Sequence, residues 1–158
     1  MECEIINLQI HPELKQQFIE YAIGCPGIDS FATLADWIKD DLLEDSESVL
    51  IAINEGKIIG FVSLLDECVC LENDCRKPWI DFLFVNEECR NQHVGVKLMD
   101  AITQHAAGLG INEVFLVTQL HKDYYEKQGF SIFEETYDYN GGMNDTPMYV
   151  MVKKLVQH

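Results

Sequence analysis

The stretch "CRNQHVGVKLMDAI", Cys89 to Ile102, passes from a polar turn straight into an apolar-periodic segment. Its spacing predicts a helix that starts at about Val94, preceded by Arg90, Asn91, Gln92 and His93. The first backbone N–H groups of a helix have no internal partner and carry partial positive charge. Aimed at one spot, such groups hold a phosphate with little help from lysine. Arg90 adds a fixed positive charge, Gly95 lets a ligand approach the backbone closely, and Val94 and Leu98 would anchor the helix to a sheet. By spacing alone, these residues fit an ordinary strand-to-helix turn equally well. Other nucleotide motifs are missing: the chain has no G-x4-G-K-[ST], and no G-x-G-x-x-G after a predicted strand.

Asp81 is the second group that draws attention. It interrupts the apolar run "WIDFLFV", and a carboxylate in such a strand is costly unless it is paired, hydrated or used. It precedes Val85 by four residues, so strand alternation predicts that both share a face. Asp81 is the sharpest candidate for a general base, with a structural carboxylate satisfied by backbone N–H groups as the alternative. Glu87 and Glu88, in the following turn, read as a solvated acidic face. His11 precedes Pro12 and is placed to cap a helix, whereas His105 falls near the buried edge of the long helix and reads as core.

Charge narrows the partners. The chain has 158 residues, with 11 basic against 27 acidic ones and a formal net charge of −16. That field repels nucleic acids and anionic membranes and attracts cations and amines; it also serves solubility. Six cysteines include the cluster "CVCLENDC". Its C-x-C and C-x4-C spacing lacks the paired C-x2-C and nearby histidines of a structural zinc site, so no metal is expected and the cysteines read as reduced thiols, alternate ones buried on a strand. No apolar run reaches membrane-spanning length. The N-terminal "MECEIINLQIHPEL" carries glutamates where a signal peptide would be basic, which predicts a cytoplasmic protein.

The elements that must position these groups follow from periodicity. A first strand is predicted over Cys3 to Ile10, then a helix opened by Pro12 with Leu14, Phe18, Tyr21 and Ala22 on one face. A shorter helix follows the loop from Gly24 to Ser30, capped by Ser30 or Thr33 and carrying a stripe of Leu34, Trp37, Ile38 and Leu42. A hairpin turns at "NEGK", Asn54 to Lys57. Trp79 to Val85 reads as a central strand, apolar on both faces apart from Asp81. The long helix ends at "GLG", the strand "NEVFLVT" and the short helix "DYYEKQG" follow, and two last strands flank "NGGMND". The order β-α-α-β-β-β-α-β-α-β-β predicts a single α+β domain over residues 1–158, with one mixed sheet covered by helices.

"FVNEECRNQHVGVKLM" resembles the acetyl-CoA loop of the GNAT N-acetyltransferase superfamily: a strand ending in valine, four residues, R/Q-x-x-G-x-G/A, and an apolar helix. Val85, Arg90 and Gly95 fall on its positions, and His93 stands where the family has its first glycine. "DYYEKQGF", Asp123 to Phe130, is similar to the family's second motif, F-Y-E-K-x-G-F. The likeness extends more loosely from the Val49–Leu65 hairpin to the C-terminus.

The resemblance implies a central, mostly antiparallel twisted sheet flanked by helices, with a splayed parallel strand pair at an acetyl-CoA cleft. It implies acetyl-CoA as cosubstrate. Backbone N–H groups near Leu83, Phe84 and Val85 would meet the pantetheine arm and acetyl carbonyl, and those of Arg90 to Val96 the pyrophosphate. Tyr125 matches the family tyrosine that faces the sulfur and would be the general acid; a packing role for it is the alternative. Asp81 would take the proton of the amine, and His121 could line the cofactor cleft. The N-terminal helices would form one wall of the acceptor site, with Tyr137, Asp138 and Tyr139 on the other. The expected activity is N-acetylation of a primary amine in a small molecule or peptide, in a ternary complex, with a lean toward cationic amines and a homodimer admitted by the C-terminal strand. An acyl-CoA sensor without turnover, and a cysteine-based redox or zinc protein, are the alternatives.

Overall fold

The structure, a computed structural model, describes residues 2–25, 30–68, 71, 74–136 and 147–156. Its elements follow the predicted order: β1 (Glu4–Asn7), α1 (Lys15–Gly24), α2 (Ser30–Lys39), β2 (Ser48–Asn54), β3 (Lys57–Leu65), β4 (Trp79–Val85), α3 (Val94–Gly108), β5 (Glu113–Thr118), α4 (Lys122–Glu126), β6 (Ser131–Thr136) and β7 (Met148–Lys154). The strands form a seven-stranded mixed sheet in the order β1-β2-β3-β4-β5-β7-β6. β4 and β5 run parallel, and β1–β2, β5–β7 and β6–β7 are antiparallel. Among the described residues no helix is long and apolar enough to cross a membrane.

The chain divides into two compact units: Met1–Ser63 with Phe82–Ala101, and Leu64–Asp81 with Ile102–His158. In the first, the β2–β3 hairpin turns through Glu55 and Gly56 with φ of 51° and 77°. Positive φ at both central residues matches the right-handed twist of the flanking strands, which is why glycine belongs there. Phe61 of β3 takes Phe18 of α1 and Phe31 of α2 edge-on, with ring centroids 5.2 and 5.0 Å away. Phe84 of β4 joins them at 5.4 Å from Phe31. Large aromatics at these edge-to-face distances supply much of the apolar burial that holds α1 and α2 to the sheet.

Two boundaries and one cap differ from expectation. β1 stops at Asn7, because the Asn7 side chain accepts from the Gln9 N–H at 3.0 Å and turns the chain into a 3-10 segment, Leu8–Ile10. His11 makes no side-chain cap; its Nδ1 lies 3.0 Å from Glu13 Oε1 instead. α2 ends at Lys39, which leaves Leu42 60% exposed and outside the buried stripe.

In the second unit, Trp79, Phe115 and Val150 form a buried cluster with Cys68 and Leu71 against it. Arg76 covers this layer. Its guanidinium carbon lies 5.6 Å from the Trp79 ring centre and 5.2 Å from that of Phe133. It also pairs with Asp74 and, at 2.6 Å, with Glu134. The bond from Arg76 holds the Asp74 carboxyl below its ordinary range. The Cys68–Cys75 segment adopts no strand among its described residues, so the expected alternation of buried thiols does not occur there; Cys70 lies outside the described residues. Cys3, Cys25, Cys68, Cys75 and Cys89 are free thiols, and among the described residues no group of three or more His, Cys, Asp or Glu is arranged to hold a metal ion.

Candidate active site

Leu83, Phe84 and Val85 are the last three residues of β4, each half-buried. Upstream of them, Phe82 takes a φ of 54°, a conformation that costs a bulky L-residue roughly 1–3 kcal/mol. It is nevertheless buried, its ring 6.1 Å from Phe31 and 6.4 Å from Trp37. This left-handed residue interrupts the pleat between Asp81 and Val85. The spacing argument that put those two on one face therefore does not carry across β4. Nothing in the sequence signals it, since phenylalanine is an unusual choice at positive φ.

The polar turn is built on the end of β4. Arg90 is exposed, its Nε donates to the Val85 carbonyl at 3.1 Å, and its guanidinium carbon lies 5.8 Å from the Phe84 ring centre. The arginine thus folds back over the strand that precedes it. Asn91 and His93 both adopt left-handed backbone, with φ of 63° and 64°. His93 takes up the conformation a glycine would, and its carbonyl accepts the first α3 bond, from Lys97 N–H at 3.0 Å. Left-handed residues of this kind aim neighbouring N–H groups inward as an anion-binding nest. Here the two left-handed residues immediately precede a helix of 15 residues. Gln92 Nε2 donates to the Glu88 carbonyl at 3.2 Å. Val94 is buried at 1% exposure and, with Leu98 at 0%, holds the helix down; Gly95 and Val96 are half-buried in its first turn.

Tyr125 and Asp81 belong to the other unit. Tyr125 lies on α4, with its N–H donating to the His121 carbonyl at 3.2 Å and its carbonyl accepting from Phe130 N–H at 3.1 Å. Its ring centre is 5.1 Å from that of Tyr124 and 6.0 Å from that of Phe130. Burial first, then the charges of Tyr124 and Asp81, push the Tyr125 phenol up to about 12. Asp81 is thus near enough for its charge to act on Tyr125, and it is half-buried. His121 is exposed and makes no side-chain cap on α4. Burial lowers the pKa of half-buried His105, consistent with a core role. Tyr137, Asp138 and Tyr139 lie outside the described residues.

β4 and β5 are in parallel register at the single pair Trp79↔Phe115 among the described residues. β5 instead ladders with β7 through six pairs, from Glu113↔Lys154 to Thr118↔Tyr149.

The model of the acetyltransferase (GNAT) family matches residues 9–130. The chain belongs to that family. Similar solved structures include an aminoglycoside 6′-N-acetyltransferase complexed with coenzyme A, 18% identical, covering 98% of both chains with a TM-score of 0.70. Another is the aminoglycoside 6′-N-acetyltransferase from Enterococcus faecium, at 17% identity, 98% coverage of both chains and a TM-score of 0.69. A third is an IAA acetyltransferase from Bacillus cereus, at 18% identity, 98% of this chain, 100% of that one and a TM-score of 0.63. At these identities the likeness is one of fold, and the mixed sheet with its parallel β4–β5 pair is the GNAT arrangement.

Proposed function

We propose that the protein transfers an acetyl group from acetyl-CoA to a primary amine of a small molecule or peptide, directly and within a ternary complex, as a single N-acetyltransferase domain over residues 1–158. The observation that carries this reading is the pair of left-handed residues, Asn91 and His93, at the start of α3. They stand in the loop whose sequence resembles the family's acetyl-CoA loop, and left-handed residues of this kind favour the backbone arrangement that binds an anion. The N–H groups of Arg90 to Val96 take the pyrophosphate, and those of Leu83 to Val85 take the pantetheine arm and the acetyl carbonyl.

The chemistry needs a neutral amine, a stabilised oxyanion and a proton for the leaving thiolate. The amine nitrogen attacks the thioester carbonyl carbon and the C–S bond breaks. Asp81 takes the amine proton, directly or through water, and Tyr125 donates its phenolic proton to the sulfur of coenzyme A. The net charge of −16 favours a cationic amine.

Initial rates of coenzyme A release, measured across acetyl-CoA and amine concentrations, test the reading. Lines that intersect in double-reciprocal plots are expected; parallel lines would point to an acetyl-enzyme and contradict direct transfer. Asp81→Asn is expected to lower kcat about 100-fold with acetyl-CoA affinity unchanged, and unchanged turnover would remove Asp81 from the mechanism. Tight acetyl-CoA binding with no turnover on any amine of a broad panel would favour a sensor.

A further inference from the structure

Asn86 follows β4 and begins the short 3-10 turn Glu87–Cys89 that leads to Arg90. It ties the turn to two distant parts of its unit. Its N–H donates to the Ile59 carbonyl of β3 at 2.8 Å, and its carbonyl accepts from Cys89 N–H at 2.9 Å. Its side-chain Oδ1 accepts from the hydroxyl of Tyr21, 65 positions away on α1, at 2.5 Å. Its Nδ2 lies 3.5 Å from Glu88 Oε1.

Tyr21 is well placed to hold that bond. Its ring sits edge-on to Phe61 and Phe84, with centroids 6.1 and 6.4 Å away. A ring already fixed by packing gives up little further rotamer freedom when its hydroxyl bonds. Burial, followed by the neighbouring Cys25, raises the phenol's pKa far above its ordinary value, so the hydroxyl keeps its proton and remains a donor.

We infer that Tyr21 and Asn86 are positioning residues for cofactor binding: their hydrogen bond fixes the path from the end of β4 into the Arg90–Val96 turn. The inference rests on the proposed function. Without the bond, the Asn86 side chain no longer ties the turn to α1. Residues 87–93 then sample more conformations in the free protein, and acetyl-CoA must order them at the cost of affinity.

The test compares Tyr21→Phe, Asn86→Ala and the double variant with the wild type. Calorimetry gives the Kd of acetyl-CoA, steady-state kinetics give kcat and KM, and amide exchange is followed over residues 87–93 without ligand. Tyr21→Phe is expected to raise the Kd and KM for acetyl-CoA about threefold to tenfold, to leave kcat nearly unchanged, and to speed exchange across the turn. Asn86→Ala is expected to do the same, and adding Tyr21→Phe to it to cost nothing more. In an Asn86→Asp background, which keeps an acceptor for the hydroxyl, Tyr21→Phe still weakens binding. A Kd unchanged by Tyr21→Phe, effects that simply multiply in the double variant, or a lower melting temperature with exchange over 87–93 unaltered would each overturn the inference. A wild-type protein that binds no acetyl-CoA would overturn the proposed function and this role with it. Wild-type binding with unchanged variants would overturn this role alone.

Discussion

Replacing Tyr125 with phenylalanine is expected to lower kcat about 100-fold, the usual yield of a positioned proton donor, while the KM for acetyl-CoA stays the same. An interaction made only in the transition state shows that pattern. The ring and its contacts with Tyr124 and Phe130 remain in the variant, so a loss of rate there isolates the hydroxyl. The pH profile supplies a second reading. Burial, then Tyr124 and Asp81, push the phenol up to about 12, above the ordinary tyrosine value of about 10. A raised folded value means that its contribution to stability is complete below pH 10 and is lost as pH rises through about 12. Tyr125 thus remains a donor throughout the neutral and mildly alkaline range. No fall in kcat from this group is expected below about pH 10, and an alkaline limb near neutrality that vanished in Tyr125→Phe would contradict the assignment.

Gly60→Val is expected to damage the scaffold under the proposed cofactor loop. A Cβ at Gly60 would stand 2.6 Å from the Phe84 carbonyl oxygen and 3.3 Å from both Val85 Cα and Leu98 Cδ1. Two of those three atoms are backbone and cannot swing away. β3 approaches β4 this closely only because position 60 has no side chain. Overpacking of this kind costs about 1–3 kcal/mol, a fall in melting temperature of roughly 2–12 °C for a chain of this length. The displaced atoms belong to Phe84 and Val85, so acetyl-CoA affinity should fall with stability. Gly24→Ala is the control, since nothing lies within 4 Å of the added atom, and it should stay within about 0.5 kcal/mol of wild type. Equal melting temperatures for the two variants would contradict the close approach.

Much of this architecture is legible in the sequence because local chemistry and tertiary demand agree. "NEGK" turns where glycine at positive φ is wanted, and the run Trp79–Val85 is a strand with those very bounds. The helix from Val94 to Gly108 follows its apolar stripe. What escapes the sequence depends on contacts between distant residues. Phe82 bends β4 against its own backbone preference, and the packing of Phe31 and Trp37 on its ring accompanies that conformation. Asn86 and Tyr21 look like an ordinary loop residue and an ordinary core aromatic until the fold brings them within a hydrogen bond. Leu42 continues a helical stripe on paper, yet α2 stops at Lys39, ahead of the acidic run from Asp40. In the candidate site, the turn at Arg90–Gly95 was readable from its residue types. The left-handed backbone at Asn91 was not, and at His93 it was readable only through the family's glycine.

The most direct test of the central claim is a thermal-shift titration with acetyl-CoA, with 3′,5′-ADP run in parallel, on protein first stripped of any co-purified ligand. A ligand that binds only the folded state stabilises it by an amount that grows with the logarithm of its concentration over Kd. If the turn from Arg90 to Val96 is a phosphate cradle, the melting temperature rises with acetyl-CoA along that curve, and the nucleotide fragment gives a smaller rise in the same sense. A melting temperature that stays flat up to millimolar acetyl-CoA would contradict the cradle, and with it the acetyl transfer that depends on it.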